Sequence, residues 1–221
     1  TYVHIEDKTS RTGYSLFNLL PHQVETVDAL LTQRRILVLK ARQLGLTTTV
    51  MAYVLWLALF QPGFSALVLS HKDDYAKSNI SRLRLMYSLL PSWMRARLPV
   101  PNQASNSFVL DFKHGQTSTV LSMPASAKVG ASMTLDFIFL DEFGLMEYQD
   151  EAYDTLVPTI DAASKSPRAG AVLVIASTAR GPANNFARKW RNPGSLHRMF
   201  FPWSCSPTFT ADDYERERAD Y

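Results

Sequence analysis

Five short apolar runs punctuate the chain: Arg35 to Lys40, Ala66 to Ser70, Ser118 to Met123, Asp136 to Asp141 and Ala171 to Ser177. Each is rich in aliphatic or β-branched residues and is bounded by turn or helix signals, which predicts strands buried on both faces. Between the first two, Thr47 to Phe60 carries apolar residues on every side and reads as a core helix. After the second, Asp73 to Leu90 sets Tyr75, Ile80, Leu83, Met86, Tyr87 and Leu90 at roughly helical spacing. Strand alternating with helix predicts an α/β fold, a mostly parallel central sheet with helices on both faces. One excursion is expected, since Phe108 to Phe112, Lys113-His114-Gly115 and Thr117 to Leu121 read as a β-hairpin. The proline-punctuated stretch Pro91 to Pro101 reads as a connection, Pro202 to Pro207 as a linker, and Thr210 with Asp213 as the cap of a last helix.

Composition narrows the class without naming a function. With 221 residues, 46% of them hydrophobic and 19% charged, the chain can bury a large core. The apolar stretch Val50 to Gly63 is shorter than a bilayer span, and Thr1 to Ser10 lacks the cationic-then-apolar order of a secretory signal, so neither membrane nor export is indicated. The lone cysteine, Cys205, excludes an intramolecular disulfide, and the five histidines form no zinc pattern. A net charge of +3 is compatible with a polyanionic partner and equally ordinary for a soluble enzyme. Lys72, Lys77, Arg82, Arg84, Arg95 and Arg97, interspersed with Tyr75, Tyr87 and Trp93, could face phosphates or form a dispersed solvated surface.

The candidate chemistry sits at strand ends. Lys40-Ala41-Arg42-Gln43-Leu44-Gly45-Leu46-Thr47-Thr48 joins a strand to a helix, the place where an α/β sheet builds a phosphate site from backbone N–H groups. Measured against GxxxxGK[ST] it departs twice, with Lys40 at the first glycine and Leu46 at the lysine. A second strand ends in Asp141-Glu142, two carboxylates in the crevice where such sheets bind ligands. Asp141 there can serve Mg²⁺ and Glu142 can polarise an attacking water. A third ends Ser177-Thr178-Ala179-Arg180, placing hydroxyls and an arginine at the same sheet edge. Together the three predict an ATP site.

In these motifs the sequence resembles the large terminases of phages, from Phe17 to about Trp203 and in the family's motif order. The Arg42-Gln43 pair before Gly45, the Asp141-Glu142 strand end and the Ser177-Thr178-Ala179 coupling triplet carry the likeness. It implies a P-loop NTPase of the additional-strand, catalytic-glutamate type, an ATPase domain over 1–202, and a linker or lid over 203–221 leading toward a nuclease domain. On that reading the chain is a truncated form, because the late acids Asp212, Asp213, Glu215 and Glu217 look like a helix N-terminus and not a nuclease site.

The resemblance also implies site roles. Arg42 supplies the phosphate-directed cation that Leu46 cannot, Thr47 and Asp141 serve Mg²⁺, Glu142 orients water, and Ser177, Thr178 and Ala179 sense the γ-phosphate. Lys40 either joins them or is a strand-end lysine on the surface. Ala41, Gln43, Gly45, Leu46 and Thr48 complete the loop, and Phe17 with Leu20-Pro21-His22-Gln23 looks like the adenine-recognising segment, Gln23 reading the base edge. The alternative for Gln23 is a surface residue in the first turn of a helix begun by Pro21. Where many terminases carry a trans-acting arginine, this chain has Ala127-Lys128-Val129-Gly130, so Lys128 is the nearest cation for that finger, with Arg180, which follows the coupling triplet, Arg188 and Arg191 as alternatives. ATP and Mg²⁺ are the implied cofactors. The implied partners are double-stranded DNA, a homo-oligomeric ring on the capsid portal, and the small terminase subunit, in the host cytoplasm. Two rivals stay open: a helicase-like remodelling ATPase, and a nucleotide-responsive assembly module with little hydrolysis.

Overall fold

The computed structural model describes residues 2–96, 98, 100, 104–112, 115–126, 133–163, 171–208 and 210–219. A small hairpin of β1 (His4–Glu6) and β2 (Tyr14–Leu16) precedes α1 (Pro21–Thr32). The main sheet contains β3 (Arg35–Lys40), β4 (Ser65–Ser70), β5 (Ser107–Asp111), β6 (Thr117–Pro124), β7 (Phe137–Asp141), β8 (Val172–Ser177) and β9 (His197–Phe201). Its order is β5-β6-β4-β7-β8-β3-β9, parallel throughout except for β5, which pairs antiparallel with β6 as the hairpin reading expects. The helices are α2 (Leu46–Phe60), α3 (Asp73–Ser88), the single turn α4 (Ser92–Arg95), α5 (Gln149–Ala163), α6 (Asn185–Arg191) and α7 (Ala211–Ala219).

Alternation along the strands divides the core in two, because successive side chains of a strand point to opposite faces. Ile36, Val38, Ala66, Val68, Phe137 and Phe139 pack with α1, α2 and α3, through Leu30, Val50, Val54, Ile80 and Leu83. Leu37, Leu67, Leu69, Ile138, Leu140 and Ile175 pack on the other face against Ala152, Leu156 and Ile160 of α5 and Phe186 of α6. Both faces are covered, which is why β4, β7 and β8 read as continuous apolar runs. Parallel strands pointing the same way bring the ends of β3, β4, β7 and β8 to one edge of the sheet. The described residues contain no helix long and apolar enough to cross a membrane.

The basic stretch around α3 differs from both readings offered for it. Arg84 is half-buried and donates from Nη2 to the carbonyls of Ala104 and Ser107 at 2.5 and 3.1 Å, tying α3 to the segment before β5. Arg82 donates to Asn79 Oδ1 at 2.9 Å and Arg95 to the Leu90 carbonyl at 3.0 Å. These three cations brace the fold, while Lys77 pairs on the surface with Asp73. Arg97 lies outside the described residues. At the far end, Thr210 and Asp213 form the expected reciprocal cap, and Tyr214 stacks on Trp203 at 4.9 Å.

Candidate nucleotide site

The loop between β3 and α2 turns through two left-handed residues, Gln43 at φ 60° and Gly45 at φ 70°. A non-glycine residue there is strained by about 1–2 kcal/mol, and such strain concentrates where a ligand needs the backbone held open. Gly45 has a second reason to be glycine, since a Cβ would fall 2.6 Å from Gln23 Nε2. The loop is clamped from α1. His22 Nε2 and Gln23 Nε2 both reach the Leu44 carbonyl, at 2.8 and 3.0 Å, and because a carbonyl only accepts, His22 carries its proton on Nε2. Gln23 Oε1 accepts the Leu20 N–H at 3.0 Å, the back-bond of a capping glutamine. Gln23 is therefore buried, not a surface residue, and in this structure its amide joins the loop to the start of α1.

Between the Ala41 N–H, which donates to Phe201 O, and the Thr49 N–H, which donates to Gly45 O, no backbone N–H finds a carbonyl among the described residues. A run of unbonded donors at the head of the fifteen-residue α2 is a cradle suited to phosphate oxygens. Leu46 explains the missing lysine of the motif. It is 2% exposed and packs into the core beside Val50 and Ile36, so a cation there would face oil.

Opposite the loop, β7 ends at Asp141, and Glu142 turns left-handed (φ 55°) into a short 3₁₀ turn, Phe143–Leu145. Thr47 Oγ1 donates to Asp141, 3.1 Å from each carboxylate oxygen. Lys40 Nζ lies 2.7 Å from Glu142 Oε1, with Lys40 only 7% exposed, so the surface alternative for Lys40 does not hold. Glu142 Oε2 accepts from the N–H and the hydroxyl of Thr178, each at 3.2 Å. Ser177 Oγ accepts the Gly144 N–H at 3.0 Å and donates to the Thr178 carbonyl at 2.8 Å, fastening the tip of β8 to the turn after β7. A Cβ on Gly144 would meet that hydroxyl at 2.6 Å.

The two acids differ in environment. Burial, helped by the Glu142 charge, raises Asp141 to about 6 against the pull of Lys40, the Thr47 hydrogen bond and Arg82. Burial pushes Glu142 upward too, but the Lys40 charge and hydrogen bond, with the two from Thr178, outweigh it and leave Glu142 below its ordinary value. Glu142 is thus ionised throughout the neutral range, whereas Asp141, mostly ionised at neutral pH, is the one that takes up a proton as pH falls through about 6. A hydroxyl and a carboxylate together at the phosphate cradle fit a hard divalent ion, which takes oxygen ligands from one or two carboxylates and the substrate's phosphates.

The strand tips bring together Lys40, Gly45, Thr47, Asp141, Glu142, Ser177 and Thr178. Arg42 and Gln43 are exposed on the loop, and Arg42 makes no hydrogen bond or ion pair among the described residues. Thr48 lines a polar cavity with Glu6 and Arg82, Ala179 and Arg180 are exposed beyond the tip of β8, and the stem of Arg180 lies beside Gly144. Phe17 is buried and lines an apolar cavity of about 230 Å³ with Val27, Tyr53 and Trp56. Lys128 lies outside the described residues. Sequence reasoning named His22 only as part of the segment before Gln23, without its clamp on the loop, and missed His71, which carries no motif.

No protein-family model matches the sequence, and no curated protein matches it either. Solved structures do. The large terminase ATPase domain of Thermus phage P74-26 superposes with a TM-score of 0.67 at 19% identity, covering 98% of this chain and 93% of that one. The large terminase of thermophilic bacteriophage D6E, solved in complex with ATP-γ-S, gives 0.64 at 17% identity over 92% of this chain. The chain spans about half the length of the D6E chains, 50% in that complex. A chain of the S. cerevisiae Dbp5 structure bound to Nup159, Gle1, IP6 and ADP gives 0.52 at 12% identity over 84% of this chain. The fold is therefore that of large-terminase ATPase domains, an α/β P-loop NTPase fold with a parallel sheet and one antiparallel edge hairpin.

Proposed function

We propose that this chain is the ATP-hydrolysing motor domain of a phage large terminase, coupling hydrolysis to the movement of double-stranded DNA into a capsid. One observation carries the reading: the contacts Lys40–Glu142, Thr47–Asp141 and Thr178–Glu142, at 2.7 to 3.2 Å, gather at the strand tips beside a loop whose N–H groups find no carbonyl among the described residues. The D6E complex with ATP-γ-S supports a nucleotide as the occupant.

The triphosphate lies along the N–H groups of Arg42 to Thr48 at the head of α2. Mg²⁺, when bound, neutralises charge on the β- and γ-phosphates, with Thr47 and Asp141 as the residues to hold it. Glu142 as found is engaged at both oxygens: Oε1 accepts from Lys40, and Oε2 from the N–H and hydroxyl of Thr178. A γ-phosphate beside Lys40 competes for the ammonium and frees Oε1 to accept a proton from the attacking water. Lys40 thereby supplies from the strand the amine that Leu46 cannot supply from the helix, and Arg42 reaches the phosphates from the rim. Thr178 changes partners with Glu142, which gives the triplet Ser177 to Ala179 its sensing role and passes the change along β8. Arg180 is the candidate for a trans-acting finger, since Arg188 pairs with Asp150 and Arg191 holds the Pro182 carbonyl, in a ring of copies on the portal that works with the small terminase subunit in the host cytoplasm.

Glu142→Gln tests the assignment. It keeps the shape and the Thr178 contact but cannot take a proton, so MgATP binding should stay within about threefold while turnover falls at least about a hundredfold. Retained turnover removes Glu142 from its role. A glutamate already bonded at both oxygens also favours the second reading, a module that binds nucleotide without hydrolysing it. Wild-type chain that binds MgATP but shows no phosphate release, with or without DNA, would establish that reading instead.

A further inference from the structure

The row of strand tips contains one polar side chain that the ATPase reading leaves unused. β4 and β7 run parallel with Leu69 opposite Leu140, so the register places His71, one residue beyond β4, level with Glu142, one residue beyond β7. On the other flank, β8 delivers Thr178 and β3, beyond it, delivers Lys40. Glu142 is therefore held from one side by two partners and faced from the other by His71.

His71 is half-buried, and its ring nitrogens make no hydrogen bond among the described residues. Its ring packs on Tyr75, one turn into α3, at 4.4 Å between centroids, which fixes the imidazole plane. The charges facing it are Lys72 from its own loop, Glu142 from the end of β7 and Arg180 from beyond β8. Burial and then Lys72 hold His71 below its ordinary value, with Arg180 adding to them and Glu142 opposing, so at neutral pH the ring is uncharged and offers one donor and one acceptor.

We propose that His71 is a positioning residue for ATP hydrolysis, orienting the water that Glu142 activates from the flank opposite Lys40. The need for it follows from the site. When Lys40 turns to the phosphates, Glu142 Oε1 loses its partner, and a water bound only to that oxygen has one anchor. The imidazole supplies the second. The proton of the water still goes to Glu142 and its oxygen to the γ-phosphorus, while the ADP oxygen leaves; His71 takes no part in the transfer. This inference rests on the ATPase reading, deepening it by one residue.

The test is steady-state and single-turnover hydrolysis of MgATP by the whole chain. His71→Ala should lower kcat at least about tenfold, with KM and MgATP affinity within about threefold, because misplacing a reacting group costs rate and not ground-state binding. Asn sets an amide near the ring's Nδ1 position and Gln near Nε2, so His71→Asn or His71→Gln should recover most of the lost kcat. An unchanged kcat in His71→Ala, a loss confined to KM, or no recovery by either amide overturns the proposal. If His71→Ala melts below the assay temperature, His71→Leu, which keeps bulk against Tyr75, takes its place with the same outcomes. Failure of the ATPase reading shows separately, as absent turnover in the wild-type chain, and the role of His71 falls with it.

Discussion

Lys40, at the end of a predicted strand, and Arg84, inside a predicted helix, are both cations next to apolar residues, yet the fold uses them in opposite ways. Lys40 stands at the end of a central strand, 2.7 Å from a carboxylate and beside unbonded N–H groups. Arg84 stands on a flanking helix and holds two backbone carbonyls of its own chain. A cation acquires chemistry from what else converges on it: a carboxylate and a phosphate cradle at Lys40, backbone carbonyls at Arg84. The same contrast separates the acids: Asp73 pairs on the surface with Lys77 one helical turn away, whereas Asp141 and Glu142 are brought to their partners from 94 and 102 positions away.

Lys40→Ala breaks the crevice most severely. It leaves Glu142 and Asp141 without their cation, and removing one partner of a buried pair costs roughly 3–5 kcal/mol. Glu142 keeps some solvent exposure, so about 3 kcal/mol is expected in urea unfolding, together with loss of turnover. A stable variant that still hydrolyses ATP would mean that Arg42 supplies the phosphate cation by itself.

Next in size is the pH dependence, which has opposite signs for folding and for MgATP binding. Because folding raises Asp141 from 3.8 to about 6, the fold binds this proton more tightly than the unfolded chain does. The group's contribution to stability is thus fully present below the unfolded value and lost as pH rises through about 6. Mg²⁺ needs the ionised form, so the order reverses for binding: MgATP affinity should fall up to about tenfold per unit as pH drops below about 6. Asp141→Asn should flatten that dependence in an affinity titration.

The flanking region gives the smallest effects. Arg84→Ala should cost about 1–2 kcal/mol by stranding the carbonyls of Ala104 and Ser107, with MgATP turnover unchanged. Lys77→Ala, at an exposed i,i+4 pair, should stay within about 0.5 kcal/mol. A turnover defect in Arg84→Ala would erase the distinction between the two regions.

What the chain disclosed before folding follows from where the signals are local. β3, β4, β7 and β8 were legible because burial on both faces writes a nearly unbroken apolar run, and β6, buried at alternate positions, from its β-branched residues and the turn signal before it. β9 was not: His197 and Arg198 open it, and its pairing with β3 supplies what its own residues do not. α5 carries Pro158 in its interior, which hides a helix from any periodic reading. In the site, Thr47, Asp141 and Glu142 were legible from motif spacing alone. The Lys40–Glu142 contact was not, since it depends on Leu46 turning into the core and on β8 lying between β3 and β7. The left-handed turns at Gln43 and Glu142 occupy a conformation their residue types rarely adopt, so tertiary structure imposes what local preference opposes.

The account stands on a phosphate cradle between β3 and α2, and amide hydrogen exchange reads that cradle directly. In the free chain the N–H groups of Arg42 to Thr48 should exchange rapidly, and saturating MgATP should slow that segment at least about tenfold, leaving Arg84 and its neighbours unchanged. Protection that appears elsewhere, or in no segment at all, would contradict the placement of the nucleotide and with it the motor reading.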